Sequence, residues 1–240
     1  MIHMKKRNPK NHSQDLNSIK EIKVVNIAGL DVSTSDETDG FGFNTCQEAV
    51  YIFNEFAQGR KFDNALECFC GPGYYGLGLW KSGIVKNISF SDIAPEAEEV
   101  MRMTFDENNI DLPFYLSDNF DNIPKQKFDL IVGNPPHFNN IIPRENNMQP
   151  LPGEDRKMQD LDWKIHEKFY SQVGEYLTDD GSIMLMEAWD GSRLDTFQSM
   201  IEDNGLQYHK FYPSKDLTNP NNPGPGGNYY IEVKKKCAII

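Results

Sequence analysis

The chain has 240 residues, with 24 basic against 36 acidic side chains and a formal net charge of −12. That length fits one large domain or two small ones and can bury a sizeable core without disulfide staples. A hydrophobic fraction of 38% with 18 glycines excludes wholesale disorder. The acidic balance argues against broad duplex binding, which needs a basic face to neutralise phosphates.

Lys5, Lys6, Arg7, Lys10, Lys20 and Lys23 outnumber Asp15 and Glu21 in residues 1–23, which read as a basic flexible leader before a single domain over 24–240. No apolar run approaches the roughly 20 residues that span a bilayer, and no signal-peptide h-region stands near the start. The expectation is a cytoplasmic protein without membrane contact. Cys46, Cys68, Cys70 and Cys237 are too few for a disulfide framework, and Cys68-x-Cys70 is too tight for a usual zinc knuckle. Reduced thiols and no metal are expected. Cys237-Ala238-Ile239-Ile240 matches a prenylation box behind Lys234–Lys236, but reads better as the frayed end of a last strand.

Along the chain, Ile22–Val32 suits a strand or hairpin and Ser33–Gly42 a polar loop. Thr45 with Glu48 forms a capping box for a helix to about Gln58, with Gly59 as its stop. Strands are predicted over Ala65–Phe69, Val85–Phe90, Leu112–Leu116, Phe128–Val132, Ser182–Met186, Leu206–Tyr212 and Tyr229–Val233. Helices are predicted over Tyr74–Lys81, Pro95–Glu107, Gln159–Leu177 and Leu194–Asp203. Alternation of this kind implies right-handed βαβ units around a mostly parallel, doubly wound sheet with helices on both faces, an α/β fold. Phe138–Met158 breaks the rhythm and reads as a lid-like loop, and Asn219–Asn228 as a second loop.

Two segments carry chemistry. In Glu67-Cys68-Phe69-Cys70-Gly71-Pro72-Gly73-Tyr74-Tyr75-Gly76 a strand meets a helix through Gly71-x-Gly73-x-x-Gly76, where glycines permit a tight bend and the helix start offers free N–H groups. Asp92, about twenty residues on, can accept both hydroxyls of a ribose, which points to an adenosine-type ligand. Glu67 suits a cationic ligand part and would repel a pyrophosphate, favouring S-adenosylmethionine over NAD. In Gly133-Asn134-Pro135-Pro136-His137-Phe138, after a strand, the Asn134 side-chain oxygen and the Pro135 carbonyl make a pair of acceptors for a planar –NH₂ group, on which His137 or Phe138 can stack. If the strands ending at Glu67 and Gly133 are neighbours, Asn134 faces the cofactor.

With these residues the sequence resembles the class I S-adenosylmethionine-dependent methyltransferases with an Asn-Pro-Pro-aromatic motif. Ser117-Asp118-Asn119-Phe120 through Phe128–Pro136 looks especially like release-factor glutamine methyltransferases and their ribosomal-protein and RNA-guanine relatives, over roughly Gly40 to Leu206. The resemblance implies a seven-stranded Rossmann-like fold. It also implies a glycine turn (Gly71, Gly73) cradling the methionine portion, Asp92 on the ribose, Asp118 on the adenine amino group with Ile93 and Asn119 beside it, and Phe43 to Thr45 closing over the methionine end. His137 stands where the family has Tyr, Phe or Trp, and Phe69 where many relatives have the first glycine.

The expected activity is N-methylation of a planar amide or exocyclic amino nitrogen in a protein or nucleic-acid acceptor, with S-adenosylhomocysteine as product. Asn134, Pro135 and His137 are the expected catalytic residues. The alternatives are a small-molecule methyltransferase, a catalytically silent S-adenosylmethionine-binding module and, more remotely, an NAD(P)-dependent oxidoreductase. Oligomeric state is not legible in the sequence.

Overall fold

The computed structural model describes residues 21–38, 51–139, 154–214 and 227–236. The leader up to residue 20, Phe43, Thr45 and its capping box, most of the lid-like loop, most of Asn219–Asn228 and the last four residues lie outside the described residues. The chain opens with an antiparallel hairpin of β1 (Lys23–Ile27) and β2 (Leu30–Thr34), as read over Ile22–Val32. Helix α1, described over 51–57, ends where Gln58 and Gly59 both turn left-handed.

The elements that follow are β3 (Phe62–Cys68), α2 (Tyr74–Lys81), β4 (Val85–Asp92), α3 (Pro95–Asn108), β5 (Phe114–Leu116) and β6 (Phe128–Gly133). After them come α4 (Glu154–Met158), α5 (Lys164–Val173), β7 (Leu177–Ala188), α6 (Gln198–Asp203), β8 (Leu206–Pro213) and β9 (Asn228–Lys235). Among the described residues one sheet has seven strands in the order β5-β4-β3-β6-β7-β9-β8. Its pairs are parallel except β7 with β9 and β8 with β9. This is the doubly wound, mostly parallel sheet that the alternation of elements predicts.

Central parallel strands are covered on both faces and therefore read as unbroken apolar runs. Leu66, Leu130, Ile131 and Val132 show this, each fully buried. Successive residues feed opposite layers: Leu130 and Val132 pack with Phe53, Phe90 and Met101, while Leu66 and Ile131 pack with Phe169, Tyr170 and Phe197. Helices α1 to α3 thus cover one face and α5 and α6 the other. Each such buried side chain stabilises the fold by roughly 1.5–3 kcal/mol. In α3, Pro95 presets the first turn, Glu96 and Glu98 face the positive end of the helix, and Ala97, Val100, Met101, Thr104 and Phe105 bury one stripe. The hairpin docks on that helix, with Ser33 N–H donating to Thr104 Oγ1 at 2.9 Å.

Three predicted elements are corrected. The long helix over Gln159–Leu177 is only Lys164–Val173, because Asp162 and Trp163 take left-handed φ in a 3-10 turn before it and Leu177 already starts β7. The helix over Leu194–Asp203 begins at Gln198, since Arg193 and Thr196 instead bond each other in a turn. The aperiodic loop over Phe138–Met158 contains a short helix, α4, at its end.

Candidate active site

The sheet order reverses between β3 and β6, which are neighbours with Cys68 opposite Gly133. In open α/β sheets ligands bind beyond the carboxyl ends of strands at such a point. The ends of β3, β4, β5 and β6 open into one cleft, which brings together Glu67, Gly71, Asp92, Ile93, Asp118, Asn119, Asn134, Pro135 and His137. Among the predicted residues with a described position, Gly73 alone stands off. It forms the left-handed N-cap of α2, and a Cβ on it would lie 2.6 Å from Met101 Sδ. Gly71 is left-handed as well, and a Cβ there would lie 2.8 Å from the Thr38 carbonyl oxygen. Phe69 takes φ 54°, a region that favours glycine, and its ring rests 5.7 Å from that of Phe169.

Two acids serve the turn. Glu67 is buried, and its Oε2 accepts the Gly76 N–H at 2.6 Å, satisfying a helix-start donor that the Gly73 N-cap leaves without a side-chain cap. Burial pushes its carboxyl up to about 8 against the pull of the Gly76 and Tyr75 N–H groups. The carboxylate of Asp92 accepts the Gly71 N–H at 2.9 Å and the Ala94 N–H at 2.8 Å, so it joins the glycine turn to the start of α3. Burial raises its pKa too.

Beyond β5, both carboxylate oxygens of Asp118 are engaged, one with Lys168 Nζ at 2.7 Å and the other with Asn119 Nδ2 at 3.2 Å. Asn119 sits left-handed and buried, and its Oδ1 makes no hydrogen bond. Asn134, directly after β6, likewise holds a buried Oδ1 without a hydrogen bond. A buried acceptor left in that state costs about 1–3 kcal/mol, so two of them around one cleft mark places where a ligand donor belongs.

The Asn134–Phe138 loop is held from three sides. Phe138 N–H donates to the Met158 carbonyl and Asp160 N–H to the Phe138 carbonyl, at 3.0 and 2.9 Å, a short parallel bridge to the end of α4. Gly191 passes so close that a Cβ on it would lie 1.9 Å from the His137 carbonyl oxygen. The His137 imidazole, 1% exposed, places Nδ1 3.6 Å from Glu187 Oε2 near the end of β7. Glu187 Oε1 meets His166 Nε2 at 3.1 Å, and His166 Nδ1 meets Asp160 Oδ2 at 2.6 Å. Asp160 also caps α5 through the Ile165 and His166 N–H groups. Asp160, His166 and Glu187 were not singled out in the sequence, since their spacing matches no catalytic motif.

Across the mouth, α4 presents two cations. Arg156 pairs with Glu96 at 2.9 Å and Lys157 donates to the Asp36 carbonyl. Among the described residues no helix is long and apolar enough to cross a membrane, and no His, Cys, Asp and Glu side chains form a metal-holding group.

A family model, the methyltransferase small domain, matches residues 47–148, which include the glycine turn, Asp92 and Asn134. Over 128 residues the chain is 41% identical to the ribosomal RNA small subunit methyltransferase C of Actinobacillus pleuropneumoniae serotype 5b (strain L20), covering 53% of this chain and 34% of that protein. A Methanocaldococcus jannaschii protein, named as a candidate protein N5-glutamine methyltransferase, is 26% identical over 115 residues, 48% of this chain and 55% of its own length. The chain thus spans about a third to a half of these relatives. Among solved structures, the ribosomal protein L11 methylase of Lactobacillus delbrueckii subsp. bulgaricus shares the fold with a TM-score of 0.57 at 16% identity, over 82% of this chain and 81% of that one. The sequence match over 47–148 thus lies within the seven-stranded, mostly parallel sheet, a fold that this chain shares with that methylase.

Proposed function

We propose that the chain is an S-adenosylmethionine-dependent N-methyltransferase of the cytoplasm, acting on the planar –NH₂ group of an RNA base or a protein glutamine. Relatives named for ribosomal RNA and for protein glutamine methylation support both acceptor classes, which share that planar group. The cofactor, when bound, supplies an electrophilic methyl group on a sulfonium. The residues present suit it: Asn119 Oδ1 is a ready acceptor for an adenine amino group, Asp92 lies where a ribose would reach it, and Glu67 is an acid that a cationic ligand part would favour. Asp118, with both oxygens engaged, serves the adenine through Asn119.

The observation that carries the reading is Asn134 Oδ1, a buried acceptor without a partner at the carboxyl end of β6. With the Pro135 carbonyl it would take both N–H bonds of the target and aim the nitrogen lone pair at the methyl group, so that rate comes from proximity and fixed dipoles. The test is transfer of tritiated methyl from S-adenosylmethionine to a cell extract, with nuclease and protease controls. Label lost to nuclease or to protease identifies the acceptor class. Label only in small molecules, or none, refutes the proposal.

A further inference from the structure

Four acids line the cleft: Glu37, Glu67, Asp92 and Asp118. Three of them are engaged by the protein itself. Glu67 accepts the Gly76 N–H, Asp92 the Gly71 and Ala94 N–H groups, and Asp118 is held by Lys168 and Asn119. Glu37 differs, because its Oε2 is buried and among the described residues no donor meets it. A buried acceptor without a donor is costly, most of all on a carboxyl group, so this position in the cleft calls for a cationic ligand group.

A tightly built turn holds Glu37 there. It follows β2, and in it the Thr38 N–H donates to the Ser35 carbonyl at 3.1 Å while Thr38 Oγ1 accepts the Ser35 N–H at 3.2 Å. Ser35 Oγ lies 3.2 Å from Thr38 Oγ1, and the exposed Asp36 pairs with Lys23. The Asp36 carbonyl receives Lys157 from α4. The turn presses on the glycine bend, since the Thr38 carbonyl oxygen is the atom that a Cβ on Gly71 would meet at 2.8 Å. Ser35, Asp36 and Thr38 therefore all have partners within the protein, and Glu37 Oε2 is left facing the ligand.

The strand order says which part of the ligand reaches it. Asn119 follows β5 and would take the adenine, and Asp92 ends β4 and would meet the ribose. The next strand in the sheet is β3, so its glycine bend receives what lies beyond the ribose. In S-adenosylmethionine that is the sulfonium and then an α-amino acid end, whose ammonium, like that of lysine, carries three donors and no acceptor.

We infer that Glu37 is the acceptor for the ammonium group at the amino-acid end of the cofactor, held in place by the Ser35–Thr38 turn. The inference rests on the methyltransferase reading and concerns a residue outside the stretch that the family model matches. It also gives the cleft a means of selection, because an adenosine ligand with phosphates at this end would bring negative charge against Glu37.

The test is calorimetric binding of two ligands to the full chain: S-adenosylhomocysteine and its deamino analogue, in which hydrogen replaces the ammonium group. The wild type should hold the first about 10-fold tighter or more. Glu37→Gln keeps the shape of the side chain and should weaken S-adenosylhomocysteine about 10- to 100-fold while changing the analogue by no more than about twofold, so the preference collapses. Asp36→Asn removes a negative charge one residue away and should leave the preference as it is. Thermal unfolding checks each variant, and if Glu37→Gln does not fold, Glu37→Ala is compared in the same way. A preference that survives the loss of the Glu37 carboxyl, an equal loss for both ligands, or the same collapse in Asp36→Asn overturns the assignment and leaves the methyltransferase reading intact. A wild type that binds neither S-adenosylhomocysteine nor S-adenosylmethionine overturns the reading itself.

Discussion

Glu67→Gln tests how the cleft stores charge. The wild-type carboxyl is 3% exposed and, although it accepts the Gly76 N–H, burial raises it from an ordinary 4.5 to about 8. A group raised on folding binds its proton more tightly in the native state than in the unfolded chain. Its contribution to stability is therefore complete below about pH 4.5 and is lost as pH rises through about 8. At about 1.4 kcal/mol per pH unit, that interval sets a ceiling of about 5 kcal/mol. The amide of the variant would still offer an oxygen to Gly76 but could not ionise, so the two proteins should be similarly stable near pH 5. The variant should be the more stable near pH 9 by up to that amount.

Urea unfolding midpoints across this range measure the difference, and titrations common to both proteins cancel in it. Curves that run parallel from pH 5 to 9 would show that Glu67 does not titrate as its burial demands. The same charge bears on the ligand, because a cationic cofactor lowers the Glu67 pKa and must release a proton on binding near neutral pH. Calorimetry in two buffers of different ionisation heat should show that release in the wild type and not in Glu67→Gln.

Asp92→Ala should weaken S-adenosylmethionine binding by about 1–3 kcal/mol, the scale of lost charge-assisted hydrogen bonds, and unchanged affinity by calorimetry would dismiss the ribose assignment. Asn134→Ala should cost on the order of a hundredfold in turnover while leaving cofactor affinity nearly intact, since its oxygen serves the reacting geometry; wild-type turnover on the labelled acceptor would remove it from the mechanism. Gly191→Ala places a methyl group where the His137 carbonyl already lies, so it should destabilise the fold by roughly 1–3 kcal/mol and lower turnover more than it lowers cofactor affinity. Full activity in that variant would mean the loop moves freely, against its three-sided anchoring.

The sheet and its switch point were legible because their signals are local. Phe128–Val132 is a mostly apolar run, Pro95 opens a helix, and Gly71-x-Gly73 marks the bend, whereas the pairing of β3 with β6, a condition in the sequence reading, is a finding of the structure. Helix α5 was overestimated because the apolar spacing from Gln159 to Leu177 is helical throughout, whereas the left-handed backbone at Asp162 and Trp163 is a tertiary outcome that periodicity does not encode. The readings of Glu67 and Asp92 as ligand acids are joined in the structure by a second duty, since both accept backbone N–H groups that shape the turn. Sequence spacing places a carboxylate at a strand end but does not say how many donors will claim it.

The interior chain behind His137 lay beyond sequence reading for a different reason. Its members come from positions 137, 160, 166 and 187, and they meet only because β6 pairs with β7 and because the segment after α4 bridges back to Phe138. Stability alone gives no cause for such a set, since buried ionisable side chains are costly and well-packed apolar residues would serve the core at least as well. Phe197, stacked 4.3 Å from His166 at 8°, shows that the surrounding packing already accommodates flat apolar rings. What an apolar core could not supply is a polar tie from the start of α5 through β7 to the loop following Asn134. A buried Glu187 carboxylate requires partners, which accounts for His166 placed between Asp160 and Glu187.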